Sequence, residues 1–312
     1  MYQYHLAGLD FESALPLPDL GVLELTDGDA RAGTADVAIG EGIVPMSDDG
    51  PAPPGTISWS GVPGYCLLDV ANVARFEVRD GRRITVERTG ELGDDVMRLY
   101  LLGSVLGALW HQRGRLPLHA GALAIDDRAW AFVGASGAGK SSLVVTLAAV
   151  AGAGYLCDDV CVVDISPQAG VCAWPGLFRM RVSPEMCALL GLDALPDLGA
   201  IDPFGKRALV PPWPRPVGPL PLAGVMVLEV DSGDAGPQLE RLGAVDAITA
   251  LLAHTYRREY IPAAARGAHF SQCAELARTV PVYRLRRSWG TGRMHADALH
   301  ISQMLAALAR TS

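Results

Sequence analysis

The stretch AWAFVGASGAGKSSLVVTL, residues 129–147, decides how this chain is read. It opens on the apolar run Trp130–Val133, which has strand character. It then passes through glycines 134, 137 and 139. It leaves at Lys140 into an apolar run of helical length that reaches about Val150. This is the full G-x-x-x-x-G-K-S pattern in its required setting, with a strand entering and a helix leaving. The glycines let the backbone wrap so that successive N–H groups point at phosphate oxygens. The start of the helix adds its positive end. Gly134, Ala135, Ser136, Gly137, Ala138, Gly139, Lys140, Ser141 and Ser142 are therefore expected to cradle a nucleoside triphosphate. Lys140 is expected to reach the β- and γ-phosphates, and Ser141 to place its hydroxyl on Mg²⁺.

Working outward from the loop, Leu116–Ile125 reads as a strand carrying His119. Asp126-Asp127 reads as a turn and Ala129–Val133 as the next strand. After the loop helix, a strand is expected over Cys157–Asp164, with Asp158 and Asp159 at its start. Later strands are expected at Val171–Ala173, Leu222–Val230 and Val282–Leu285. Helices are expected at Ala244–Ala253, Ala263–Arg278 and Ala296–Ala309, and residues 191–220 read as a long Pro-rich loop. Alternating strands and helices predict an α/β class, a P-loop core with strands flanked by helices. Residues 1–93 read as a small β-rich N-terminal domain, with a short strand at Val37–Ile39. A Pro/Gly-rich loop, 48–64, follows. The hairpin signal around Asp80-Gly81, within Arg75–Glu87, is strong. Residues 94–113 read as a helix, with Asp94 and Asp95 in its first turn. Its apolar stripe is Val96, Leu99, Leu102, Val105, Leu106, Leu109 and Trp110, at core-packing spacing. The domain boundary is accordingly placed between residues 93 and 94, with 94–312 as the catalytic domain.

Two adjacent carboxylates at a strand start repel each other unless a cation shares them, and strand alternation sends them to different faces. One can then serve as general base toward an acceptor hydroxyl while the other meets Mg²⁺. His119, taken alone, is a packed core histidine; beside the acidic pair it is a group that could orient a carboxylate or sense the transferred phosphate. Among the basic residues that follow, Arg179, Arg181, Lys206, Arg207 and Arg215, an arginine could neutralise charge on a transferred phosphoryl group, and Arg179, Lys206 and Arg207 are the leading candidates. The later cluster Arg284, Arg286 and Arg287 reads as flanking a strand end.

Composition narrows the classes. The 312 residues carry 26 Lys and Arg against 34 Asp and Glu, a net charge of −8. This argues against non-specific nucleic-acid binding, which needs a basic excess. Half the residues are hydrophobic, enough for a sizeable core. The longest uncharged apolar run, Ser141 to Cys157, is short of the ~20 residues of a spanning helix, and no membrane association is expected. The N-terminus lacks the basic start and apolar core of a signal peptide. The six cysteines form no C-x-x-C pair and read as buried reduced thiols of a cytoplasmic protein.

LHAGALAIDDRAWAFVGASGAGKSSL, residues 118–143, followed by YLCDDVCVVD, residues 155–164, resembles the catalytic domain of HPr kinase/phosphorylase. That family carries a His-containing strand, the phosphate loop and an Asp-Asp pair in this order. The chain is also similar to the shorter branch of related kinases found beside biosynthetic genes for ribosomal peptides, including lasso peptides. The likeness is strong over about 116–165. From 170 to 310 it is looser, resting on WPGLFRMRV (174–182), Gly205-Lys206-Arg207 and LAGVMVLEV (222–230). At the N-terminus YQYHLAGLDFESALPLPDL, residues 2–20, looks like the branch kinases and not like the regulatory domain of the HPr enzymes. The resemblance implies a P-loop serine kinase that uses ATP and Mg²⁺ to phosphorylate a hydroxyl of a peptide or small protein, a lasso-type precursor in particular. It implies Asp158 as the base and Asp159 as the metal partner with Ser141, and leaves a homo-oligomer as an expectation. The HPr enzymes carry a Glu-x-Arg-Gly signature after the acidic pair; here the counterpart is Leu177-Phe178-Arg179-Met180. That departure points away from HPr as substrate and toward the peptide-modifying branch. Two other readings use the same residues: a kinase of small hydroxyl-bearing molecules, and a non-catalytic nucleotide-sensing module.

Overall fold

A computed structural model describes residues 1–23, 35–47, 50–53, 56–166, 170–199, 205–231, 236–288, 290 and 292–311. Parts of the loops expected over 48–64 and 191–220 lie outside the described residues. The chain forms two compact units, residues 1–115 with 257–269, and residues 116–256 with 270–312.

In the first unit, seven strands form one sheet in the order β1-β2-β3-β7-β6-β5-β4. They are β1 (Tyr2–Leu6), β2 (Leu9–Ser13), β3 (Val37–Glu41), β4 (Ile57–Val62), β5 (Tyr65–Val70), β6 (Ala74–Arg79) and β7 (Arg83–Arg88). Strands β4 to β7 are an antiparallel meander, and β3 joins both β2 and β7 in parallel. The hairpin turn falls where the sequence places it: Asp80 and Gly81 both hold left-handed backbone, φ 53° and 61°.

The expected helix over 94–113 is three pieces: α1 (Asp94–Tyr100), a π-helical turn (Leu101–Val105) and α2 (Leu106–Gln112). The π turn inserts an extra residue and rotates the preceding face. Ahead of it the buried residue is Met97, while Val96 and Leu99 of the expected stripe are only partly covered; beyond it Leu102, Val105, Leu106, Leu109 and Trp110 are buried as predicted. Trp110 meets Phe11 of β2 edge-on, ring centres 6.4 Å apart. The compact unit therefore ends at Arg115 and not at residue 93, because this helix covers the β-rich sheet. The segment 257–269 also belongs to this unit, where Tyr260 packs on Trp59 at 5.3 Å.

The second unit is the mixed α/β part. Its strands are β8 (Leu116–Leu118), β9 (Ala120–Ile125), β10 (Arg128–Val133), β11 (Gly154–Cys157), β12 (Cys161–Ser166), β13 (Gly170–Trp174), β14 (Met180–Val182), β15 (Arg207–Leu209), β16 (Leu220–Asp231), β17 (Gln238–Arg241) and β18 (Val282–Ser288). The helices are α3 (Lys140–Ala151), α4 (Pro184–Leu190), α5 (Ala244–Ala253), α6 (Arg266–Thr279) and α7 (Met294–Thr311). Nine strands make one sheet, running β11-β9-β10-β16-β13-β12-β8, with β18 on β16 and β17 on β18. The centre, β10-β16-β18, is parallel, and β9, β11 and β17 add antiparallel edges.

Strand β10 shows how the layers are set. Its residues alternate between two cores. Trp130 and Phe132 pack with Leu143 and Leu147 of α3 and Ile301 and Leu305 of α7. Ala129, Ala131 and Val133 pack with Leu251 of α5 and Leu276 of α6. With helices on both faces the central strands are covered twice, which is why they read as near-continuous apolar runs.

Two expected strands are each broken in the middle. Leu116–Ile125 is β8 and β9 with His119 at the break, and Cys157–Asp164 is β11 and β12 with residues 158–160 between them. The stretch 191–220 is not wholly loop, since β15 pairs antiparallel with β14. None of the cysteines is in a disulfide; five are buried and Cys172 is half-buried. Among the described residues no helix is long and apolar enough to cross a membrane.

Candidate active site

The loop leaves β10 at Gly134 and turns into α3 at Gly139, which caps the helix with left-handed backbone, φ 79°. A Cβ at Gly134 would meet the Leu228 Cβ and carbonyl oxygen of β16, each at 3.2 Å. Close approach of the loop to its neighbour strand thus excludes a side chain there. Lys140 is buried and folds back over the loop, its Nζ donating to the Gly134 carbonyl at 2.9 Å and the Ala135 carbonyl at 3.3 Å. Burial lowers its pKa, and the carboxylates Asp159 and Asp158 work in the opposite direction.

The acidic pair sits where β11 ends and β12 has not begun. The Val160 N–H donates to the Asp158 carbonyl at 2.9 Å, closing a three-residue turn centred on Asp159. Asp159 pays for the turn with φ 72°, a strained conformation for a residue with a side chain and one found preferentially at functional sites. The turn, and not strand alternation, sends the two carboxylates to different partners. Asp158 accepts from the Ser141 hydroxyl at 2.8 Å and from the Arg181 backbone N–H at 3.1 Å. Burial and then the Asp159 charge raise its pKa, against those two hydrogen bonds. Asp159 Oδ1 lies 3.4 Å from His119 Nδ1, with both side chains about one-third exposed, at 37% and 34%.

His119 is held from several sides. Its N–H donates to the His254 carbonyl at 2.8 Å, and the next N–H, of Ala120, to the Asp159 carbonyl at 3.2 Å. Its ring stacks on Tyr256, 5.8 Å between centres and 14° from parallel. The His254 imidazole is pushed down to about 4 by burial, then by Lys140 and His119.

These groups share one cavity of about 490 Å³, inside the ~300–1,000 Å³ range of ligand sites. Its lining includes Ser136, Gly137 and Gly139 of the loop, Lys140, Ser141, Asp158, Asp159 and His119, together with Lys206 and Arg181. Two basic residues singled out in the sequence sit elsewhere. Arg179 is buried, its carbonyl accepting from the Tyr155 hydroxyl at 3.4 Å, while Arg181 two residues on lines the cavity. Arg207 is engaged by Asp197 at 3.0 Å and Asp193 at 3.4 Å, and of the Lys206-Arg207 pair only Lys206 lines the cavity.

Sequence reasoning placed Arg287 at a strand end and gave it no part in the site. On β18, Arg284 and Arg286 face outward to Glu229 and Glu240. Arg287 is in the opposite phase with Leu285, and both are buried. Its Nη2 donates to the Ala138 carbonyl at 2.9 Å and the Gly139 carbonyl at 3.5 Å, so it holds the phosphate loop from behind. Burial lowers its pKa, and Asp297 opposes that. A legible signal existed: period two puts residue 287 on the buried face, where an arginine needs a structural partner.

The donors present fit magnesium. Ser141 and Asp158 offer one hydroxyl and one carboxylate side by side, and the raised pKa of Asp158 is what a cation would relieve. Mg²⁺ takes one or two protein ligands, with water and phosphate completing its shell.

No family model and no curated protein matches the chain. Among solved structures the chain is similar to the Hpr(Ser) kinase/phosphatase from Coxiella burnetii, at 14% identity and a TM-score of 0.31. The likeness covers 61% of this chain and 97% of that one.

Proposed function

We propose that this chain is an ATP-dependent kinase that transfers the γ-phosphoryl group to a serine hydroxyl of a peptide or small protein. One observation carries the reading: Ser136, Gly137, Gly139 and Lys140 of the phosphate loop, a Ser141–Asp158 pair and a His119–Asp159 pair all line one cavity. A nucleotide-sensing module would need only the first of these. The peptide acceptor rests on the resemblance of residues 116–165 to peptide-tailoring kinases and on the absence of the Glu-x-Arg-Gly signature of the HPr enzymes.

The geometry favours a division of labour between the aspartates opposite to the one the resemblance implies. Asp158 is occupied by Ser141 and the Arg181 N–H and stands on the cation side. Mg²⁺, when bound, neutralises charge on the β- and γ-phosphate oxygens. Asp159 is the more accessible carboxylate, oriented by His119, and serves as the base. The acceptor oxygen forms a bond to the γ-phosphorus, the bond to the β-bridging oxygen breaks, the proton passes to Asp159, and ADP leaves. Lys140 holds the phosphate chain, and Arg181 and Lys206 supply positive charge around the transferred group.

The test is mass spectrometry of serine-bearing precursor peptides incubated with the chain, ATP and Mg²⁺, alongside a panel of small alcohols. A peptide gaining one phosphoryl group supports the reading. Phosphorylation of small alcohols alone would move the acceptor class, and ATP binding without transfer to any acceptor would remove the kinase.

A further inference from the structure

A second cavity, of about 250 Å³, meets the first at the start of α3. Gly139 and Ser142 line both. Lys140, Asp158 and Asp159, which mark the reacting end of the phosphate chain, line only the larger one. A triphosphate whose terminal group lies beside them would run back along the loop toward Ser142, and its organic end would emerge at the smaller cavity. We infer that this cavity, walled by Met186 and Met294 with Glu185 and Arg287, is the seat of the nucleoside. The inference rests on the reading of the loop as a triphosphate cradle.

The chemistry of the walls suits that occupant. Met186 is buried and Met294 partly buried, both in the core that joins α3, α4 and α7. Two thioethers give a flat ring an apolar, polarisable surface. Glu185, exposed in the first turn of α4, accepts from the Ser183 hydroxyl at 3.2 Å and keeps lone pairs for ribose hydroxyls. Arg287 is fixed on the Ala138 and Gly139 carbonyls and places its buried charge where the phosphate chain turns toward the sugar. At 250 Å³ the cavity lies just below the ~300–1,000 Å³ of drug-sized sites, so it takes a nucleoside-sized group and not a peptide.

The experiment compares ATP with methyl triphosphate, which has the same phosphate chain and no nucleoside, by calorimetry in Mg²⁺. The full chain should bind ATP at least about tenfold more tightly. Met294→Trp, which fills the cavity, should bring ATP to the level of methyl triphosphate and leave methyl triphosphate unchanged. Glu185→Ala, away from the core, should weaken ATP about threefold with methyl triphosphate again unchanged. Equal affinity of the two probes for the unaltered chain, or ATP binding untouched in both variants, would overturn the nucleoside seat while leaving the loop reading intact. Failure of either probe to bind the unaltered chain would remove the loop reading and this inference with it.

Discussion

His254 should make the folded chain sensitive to mild acid. It follows the last residue of α5, at a helix C-terminus where a positive charge is ordinarily welcome by up to ~1–2 kcal/mol. Burial and the neighbouring Lys140 outweigh that, and the imidazole is pushed from 6.5 down to about 4. The folded state therefore keeps His254 neutral while the unfolded chain takes up a proton below 6.5. Stability is fully present above that pH and is lost as pH falls through the window to about 4. With a slope of up to ~1.4 kcal/mol per pH unit, discounted for solvent screening of a half-buried ring, the loss is on the order of 1–2 kcal/mol, a sizeable part of a typical folding free energy. Urea unfolding of the unaltered chain and of His254→Gln, at pH values from 8 to 4, measures it. The difference between the two should change across the window, with the variant losing less stability in acid. Curves that stay parallel from pH 8 to pH 4 would refute the argument, because every other titrating group is common to both.

Other perturbations address the site. Lys140→Ala should weaken ATP binding about 10- to 100-fold by removing the charged donor over the loop; unchanged calorimetry would contradict the cradle. Asp159→Asn should keep ATP affinity within about twofold while cutting phosphotransfer ~10²–10⁴-fold, and full activity would end its role as base. Because burial and Asp159 raise the Asp158 pKa, ionised Asp158 opposes folding at neutral pH. Asp158→Asn should then raise the melting temperature at pH 8 while abolishing the stabilisation that Mg²⁺ with ATP confers, both read from melting curves. Arg287→Met should raise the Kd for ATP about tenfold with the far-ultraviolet circular dichroism unchanged, since the Ala138 and Gly139 carbonyls lose their tether.

Much of the site was legible because its parts are local. The loop and α3 carry their backbone demands and their ligand groups in consecutive residues, and the Asp80-Gly81 hairpin announces itself in the same way. The central strands and the helices α3, α5, α6 and α7 of the second unit followed from apolar runs punctuated by turn residues, whereas α4, β14, β15 and β17 did not. The breaks at His119 and at 158–160 were not legible, because the residues flanking each are apolar on both sides. The helix over 94–113 was read correctly in kind and, from Leu102 onward, in phase; only Val96 and Leu99 fall off the buried face, since nothing in its composition marks the π turn at Leu101–Val105. Its membership of the first unit followed from which sheet it covers, and a boundary drawn on composition could not see that.

From consecutive residues alone came the α/β class, the phosphate loop and the expectation that an acidic pair serves it, because each depends on backbone preferences and periodicities that span a few turns of chain. Tertiary structure alone decided which aspartate meets Ser141 and which meets His119, that Arg181 and Lys206 face the cavity where Arg179 and Arg207 do not, and that Arg287 anchors the loop. The physical reason is that these pairings join groups far apart along the chain, and their direction hangs on one strained turn at Asp159 and on the register of β18 against β16. The turn leaves no trace in local composition, and the alternation that puts Arg287 on a buried face does not name its partner.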